Sequence, residues 1–278
     1  MSKMNSTAGN LAIPLIEGRR GEKLRRLPLQ QLEENELSPL DSATTDNETF
    51  PTIAVVIPAH DEAEGILKVI QALPKNWVHE VVVTDNASND GTAGVAEALG
   101  ATVLHEDRKG YGWACLKGLE YLSQKPEQPD IVVFLDADYS DFPEELPLLV
   151  APILEGKADL VIGSRAMGKR EKGSLTPQQI FGNWLATRLL RLIYGACFTD
   201  LGPFRAVRWD ALQKINMQDK TYGWTVEMQL KAAKLGLRAT EVPVRYRRRI
   251  GHSKISGTVK GVLGAGYKIL WTLFRYSR

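Results

Sequence analysis

The chain has 278 residues, 44% hydrophobic and 24% charged, with 35 Lys+Arg against 33 Asp+Glu for a formal net charge of +2. This composition belongs to an ordinary globular protein; with only Cys115 and Cys197 present it excludes a disulfide framework and a four-cysteine zinc site. No run of about 18 apolar residues occurs, so no bilayer span is expected. The polar start, Met1 to Asn10, lacks a signal-peptide core, which makes the cytoplasm the expected location.

Residues 1–50 mix polar residues with isolated apolar ones and are expected to form a disordered arm, with one short helix near Lys23–Glu34. Thr52–Ile57, a β-branched run closed by Pro58, predicts a buried strand, and Glu62–Leu73 has helical apolar spacing ended by Pro74. The alternation repeats: strand Glu80–Val83, helix Asn89–Leu99, strand Ala101–Leu104, helix Tyr111–Leu122 and strand Ile131–Leu135. A helix follows from Asp141, read as its cap with Glu144 reaching back, to Leu154, interrupted by Pro147 and Pro152. Next come strand Leu160–Ile162, a charged loop Ala166–Gly173, helices Gln178–Tyr194 and Trp224–Leu235, strand Ala239–Val244 and a helix Gly257–Phe274. Such alternation predicts an α/β fold, a mostly parallel sheet flanked by helices in a single domain over 51–256, with an amphipathic helix at 257–278.

The near-zero total charge hides an asymmetry. Residues 161–278 carry 22 Lys+Arg and 6 Asp+Glu, leaving 13 against 27 in the rest of the chain. An acidic half joined to a cationic half suits a cleft where a metal meets a polyanion, and equally a nucleic-acid surface.

In an open parallel sheet, ligands bind beyond the carboxyl ends of the strands. Polar clusters fall there: Pro58-Ala-His-Asp-Glu62 after the first strand, Thr84-Asp-Asn-Ala-Ser-Asn-Asp-Gly91 after the second, Asp136-Ala-Asp138 after the fourth. No Gly-x-Gly-x-x-Gly or phosphate loop is present, which argues against a nicotinamide dehydrogenase and a P-loop ATPase. Asp136 and Asp138 follow five apolar residues and would be costly to bury without a cation. Their oxygens suit Mg²⁺ or Mn²⁺, although helix capping is the alternative for Asp138 and the favoured one for Asp141. Asp85 could accept a hydrogen bond from a base edge, or simply form a turn with Asn86, Ser88 and Asp90.

Ile57-Pro-Ala-His-Asp-Glu62, Val83-Thr-Asp-Asn-Ala-Ser-Asn-Asp-Gly-Thr92, Lys109-Gly-Tyr-Gly112, Leu135-Asp-Ala-Asp138, Gly163-Ser-Arg165 and Thr199-Asp-Leu-Gly-Pro-Phe-Arg205 stand in the order of family 2 glycosyltransferases. With Tyr246-Arg-Arg-Arg-Ile-Gly-His-Ser-Lys254, the chain resembles the branch of dolichol-phosphate mannose synthase and polyprenyl-phosphate sugar transferases. The resemblance implies a GT-A fold, a nucleotide-sugar donor (UDP favoured, GDP possible), Mg²⁺ or Mn²⁺, inversion, and a phosphorylated or lipid acceptor. It places Pro58, Asp61, Glu62, Asp85, Lys109, Gly110 and Asp136 along the nucleotide, and Asp136 and Asp138, with His252 as a further candidate, at the metal. Arg165, Arg170, Arg205, Arg247 and Lys254 are the expected diphosphate and acceptor-phosphate contacts, Asp200 the expected base and Glu227 a sugar-hydroxyl contact. No Gln-x-x-Arg-Trp follows, as fits a non-processive enzyme.

Positions 245, 247 and 249 would share one strand face. In the last helix, Val259, Val262, Leu263, Ile269, Leu270 and Leu273 form a stripe flanked by Tyr267, Trp271 and Phe274 and bordered by Lys260, Lys268 and Arg275. It could lie on the cytoplasmic membrane face or pack on the protein. The alternatives are a nucleotidyltransferase, disfavoured because no Gly-rich loop follows the first strand, and a nucleic-acid binder, for which the carboxylates near phosphates would be liabilities; no nucleic-acid partner is expected.

Overall fold

The structure, a computed structural model, describes residues 50–251 and 259–276. The expected arm, its short helix, His252 and Lys254 lie outside them. The elements run β1 (Ile53–Ala59), α1 (Ala63–Ala72), β2 (Glu80–Asp85), α2 (Thr92–Ala98), β3 (Thr102–His105), α3 (Tyr111–Ser123), β4 (Ile131–Phe134), α4 (Leu146–Leu154) and β5 (Leu160–Ser164). Then follow α5 (Pro177–Tyr194), β6 (Arg205–Arg208), α6 (Trp209–Ile215), α7 (Trp224–Lys234), β7 (Ala239–Pro243) and α8 (Val259–Arg275).

The described strands form one seven-stranded sheet in the order β3-β2-β1-β4-β6-β5-β7. All pairings are parallel except the two made by β6. Both faces are covered, as the near-continuous apolar strands require. In β1, Ile53, Val55 and Ile57 enter one core layer while Ala54 and Val56 enter the other. A third apolar cluster joins α5, α7 and α8 through Leu190, Val226, Leu230 and Leu273.

Two elements escape the sequence pattern. β6 is four residues long and begins with Arg205, whose guanidinium is fully buried, and α6 has only seven residues. The expected cap at Asp141 is also corrected. A 3-10 turn, Pro143–Glu145, precedes α4, its cap position is Phe142, and no side chain caps it.

β6 decides where the site lies. Running antiparallel between β4 and β5, it starts on the rim where its neighbours end, with Arg205 opposite Phe134 and Ile162. The loop carrying Asp200 thereby reaches the carboxyl edge of the sheet. The chain leaves β1 toward β2 and β3 and returns to β4 on the other side, so that edge opens at the topological switch between β1 and β4.

Candidate active site

Three non-glycine residues adopt positive φ just beyond the strands of this rim: Asp61 (50°) after β1, Ala87 (60°) after β2 and Tyr139 (59°) after β4. Strain of this kind persists where surroundings enforce it and concentrates at functional turns.

The acidic turn after β4 rests on α1. An added Cβ on Gly65 would stand 2.4 Å from the Ala137 carbonyl oxygen and 3.1 Å from Asp138 Cα, so only glycine lets the first turn of α1 lie against it. Asp136 Oδ1 accepts the Tyr111 hydroxyl at 3.0 Å. Asp138 Oδ1 accepts the Ser140 amide at 2.9 Å and its hydroxyl at 2.5 Å, while Asp138 Oδ2 lies 3.2 Å from Arg249 Nη1. Burial and then the neighbouring Asp138 charge push the Asp136 carboxyl up to about 7. The doubly ionised pair therefore lacks positive charge, and its hard oxygen donors on a turn fit Mg²⁺ or Mn²⁺. The other guanidinium nitrogen of Arg249 pairs with Glu62, tying the turn after β1 to the turn after β4. In the sequence Arg249 is one of a run of arginines, and its role in joining the two turns depends on Glu62, 187 residues away.

The turns after β1 and β2 are laced together. Asp61 Oδ1 accepts the Asn89 amide at 2.7 Å, and the Asp61 amide donates to Ser88 Oγ at 2.9 Å. Asp85 is 6% exposed, accepts the Ser88 amide at 3.3 Å and faces His105 Nδ1 at 3.4 Å. Asn86 donates to the carbonyls of Glu106 and Arg108 and accepts from the Gly110 amide, fastening the loop that presents Lys109. Pro58 lies on β1 beside Thr84, and Lys109 is exposed at the loop's outer edge. Pro58, Asp61, Glu62, Asp85, Lys109 and Gly110 thus all stand on the β1–β2 side of the crevice.

On the other side, Asp200 is 1% exposed, and Arg165 occupies both its oxygens: the amide and Nε reach Oδ2 at 2.7 and 2.8 Å, and Nη2 reaches Oδ1 at 2.7 Å. Burial works against the Arg165 charge, but Asp200 outweighs it and holds the guanidinium above its ordinary value. A carboxylate committed to three N–H donors is suited to orienting rather than to proton abstraction. Asp200, held by Arg165, lines a cavity of about 290 Å³ together with Arg170, Ile180, Asn183 and Trp184.

Three expected contacts have other work. Arg205 is fully buried, spends its donors on the carbonyls of Leu201, Gly202 and Thr225, and burial lowers it to about 10, so it braces the Asp200 loop rather than facing phosphate. Glu227 is also fully buried: it accepts the amides of Gln218 and Asp219, pairs with Lys231 at 2.7 Å and accepts the Tyr276 hydroxyl at 3.1 Å. Those partners anchor the 216–223 loop, leaving Glu227 no exposed face for a sugar hydroxyl. Arg247 stacks on Tyr139 and Phe142 at 3.6 and 3.7 Å and donates to the Asp141 carbonyl at 3.0 Å, a brace for the strained turn. Arg245, Arg247 and Arg249 all face the 138–145 and Glu62 side, whereas Arg248 turns to Glu171 and Lys172.

Residues 54–215 match the model of glycosyl transferase family 2. The chain belongs to that family. It is 34% identical over 226 residues to an undecaprenyl-phosphate mannosyltransferase of Micrococcus luteus, covering 75% of this chain and 89% of that protein. It is 31% identical over 224 residues to a low-salt glycan biosynthesis hexosyltransferase of Haloferax volcanii, covering 78% of this chain but 53% of that longer protein. Among solved structures, glucosyl-3-phosphoglycerate synthase of Mycobacterium tuberculosis, in complex with Mn²⁺, UDP-glucose and phosphoglyceric acid, aligns with a TM-score of 0.65 and 25% identity over 82% of this chain and 80% of that one. The enzyme is a family 2 glycosyltransferase with the α/β architecture of these GT-A neighbours.

Proposed function

We propose that this enzyme transfers a hexose from a uridine diphosphate sugar to the phosphate of a polyprenyl lipid, with a divalent cation held by Asp136 and Asp138. The observation that carries the reading is the buried acidic turn facing, across one rim, an Arg165–Asp200 pair whose aspartate lines a cavity. Base and ribose lie along Asp61, Asp85 and Gly110. The bound cation supplies neutralising charge to the donor diphosphate. The anomeric carbon–oxygen bond breaks, the diphosphate leaves with the electron pair, and an acceptor phosphate oxygen bonds to the anomeric carbon from the opposite face. That oxygen is already ionised at neutral pH, so no strong base is required. Asp200 positions Arg165, and Arg165 and Arg170 hold the incoming phosphate.

Lipid access is supported by exposed aromatics on α5, which lines the cavity with Ile180 and Trp184, and on α8. Phe181, Trp184 and Leu192 of α5 are 60%, 51% and 80% exposed, and Tyr267, Trp271 and Phe274 of α8 are exposed too. Neither helix contains an acidic residue, while Arg188, Arg191, Lys268 and Arg275 border the aromatics, a pattern suited to an anionic interface. In the described part of the α8 stripe, Leu273 is buried and Ile269 packs against the α5–α7 cluster rather than facing outward as the lipid reading expected, while Tyr267, Trp271 and Phe274 are exposed. Among the described residues no helix is long and apolar enough to cross a membrane.

The test offers labelled UDP-glucose and GDP-mannose, with Mn²⁺, to polyprenyl phosphate in vesicles and to a soluble phosphorylated acid. Label entering the lipid from the UDP sugar is expected. Transfer only to the soluble acid, or only from the GDP sugar, would overturn the corresponding half of the reading.

A further inference from the structure

The turn Asp136-Ala-Asp138-Tyr-Ser-Asp141 carries a third carboxylate without work so far. Asp141 is 1% exposed, and neither of its side-chain oxygens has a hydrogen-bond partner among the described residues. The other two acids are engaged, Asp136 by Tyr111 and Asp138 by Ser140 and Arg249. Burying a carboxylate with no donor is costly, and a donor from outside the protein is what this side chain lacks in order to be buried ionised.

The fold does not call for this side chain. It uses Asp141 through the backbone: the carbonyl accepts Arg247 Nη2 at 3.0 Å, and the residue forms an isolated bridge with Tyr246. Helix capping is excluded, since the cap position is Phe142. The charges acting on the Asp141 carboxyl are Asp136, Asp138 and Asp200 of like sign, opposed by Arg165, so it faces the space between the acidic turn and the Asp200 loop.

Among the described residues no three acidic, histidine or cysteine side chains converge tightly enough to hold one ion directly. The three acids of this turn therefore form no direct three-ligand cage, and Asp141 would reach a cation held by the other two only through water. A hard divalent cation on two carboxylates keeps several waters, and their protons need acceptors. We infer that Asp141 is an outer carboxylate of the cation site, its two free oxygens accepting hydrogen bonds from water bound to the cation that Asp136 and Asp138 hold. It is a positioning residue, and the inference rests on the cation reading under Proposed function.

The test titrates Mn²⁺ into the full-length chain, with and without UDP, following free Mn²⁺ by electron paramagnetic resonance and bound water by proton relaxation. Asp141→Asn keeps the shape of a neutral carboxyl, and Asp141→Leu removes all polarity. Both are expected to melt at or above the wild-type temperature without metal, to bind Mn²⁺ about 10- to 100-fold more weakly, and to alter the relaxation of the bound water. Wild-type Mn²⁺ affinity in both variants would overturn the inference. So would failure of both to fold, because the side chain would then serve the core. A wild-type chain that binds no Mn²⁺ even with UDP would instead reject the cation reading itself, which separates the two failures.

Discussion

Gly65→Ala isolates the contact that seats the acidic turn. The new methyl would stand 2.4 Å from the Ala137 carbonyl oxygen, against a closest tolerated approach of 3.0 Å, so helix and turn must part by about 0.6 Å. Both partners are backbone, and neither can swing aside as a side chain would. Overpacking of this kind costs about 1–3 kcal/mol, while alanine's helix propensity returns about 1 kcal/mol. The net is a loss of up to about 2 kcal/mol, or a melting temperature lower by roughly 4–8 °C for a domain of this size. Asp138 Cα lies 3.1 Å from the same methyl, so the displacement falls on the proposed ligand, where about 0.5 Å already spoils a cation site. Gly94→Ala is the control: it sits in exposed helix α2 with nothing within 4 Å of its Cβ, and is expected to stabilise by about 0.5–1 kcal/mol. Differential scanning calorimetry and Mn²⁺-dependent UDP titration read both variants. If Gly65→Ala melts and binds as the wild type does, close packing of α1 is not what positions the turn.

Two further outcomes follow from the buried charges. Glu227→Gln removes the charge that accepts two loop amides and pairs with Lys231, and should cost about 2–4 kcal/mol in urea unfolding while leaving the acceptor KM of the folded enzyme unchanged; a raised acceptor KM with wild-type stability would restore Glu227 to the site. Asp136, raised from 3.8 to about 7 by burial and by Asp138, binds a proton in the folded state that the unfolded chain releases. Its stabilising contribution is therefore full below about pH 4 and lost as the pH rises toward 7, and Mn²⁺ affinity should climb over the same upper range as the proton is displaced. The difference in stability between wild type and Asp136→Asn across pH 4–8, and Mn²⁺ titrations at pH 6 and 8, check both signs; a pH-independent difference would refute the burial argument.

The parts legible in the sequence were those encoded by local pattern. Apolar runs ended by Pro, Gly or polar turn residues predict β1 to β5 and the helices between them, and the polar residues after β1, β2 and β4 lie on one rim. What stayed hidden depends on partners distant in the chain. β6 was missed because its first residue is an arginine, and nothing local says that the carbonyls of Leu201, Gly202 and Thr225 will neutralise it. Glu227 looked like a site residue because a carboxylate at a helix start is unremarkable locally; its amide partners are eight and nine residues back, in a loop without regular structure. Asp141 followed by Pro143 satisfies every local rule for a cap, yet the 3-10 turn starts one residue later and leaves the side chain buried.

The charge asymmetry carries more of the mechanism than its near-zero sum suggests. Acids of the first half and arginines of the second meet across the rim: Glu62 and Asp138 on Arg249, Glu145 on Arg245. Such pairs cost the fold desolvation and return little net stability, so a wholly structural rim would be expected to replace them with apolar contacts. The pairing instead leaves the acidic turn short of positive charge. Arg249 is shared between two carboxylates, Arg165 is committed to Asp200, and among the described residues Asp136 and Asp141 have no ion-pair partner. Under the proposed function, a rim with its arginines fixed in place and its carboxylates in excess would take a cation first and the diphosphate that cation neutralises second. Binding in that order draws each charge in only when its partner is already present.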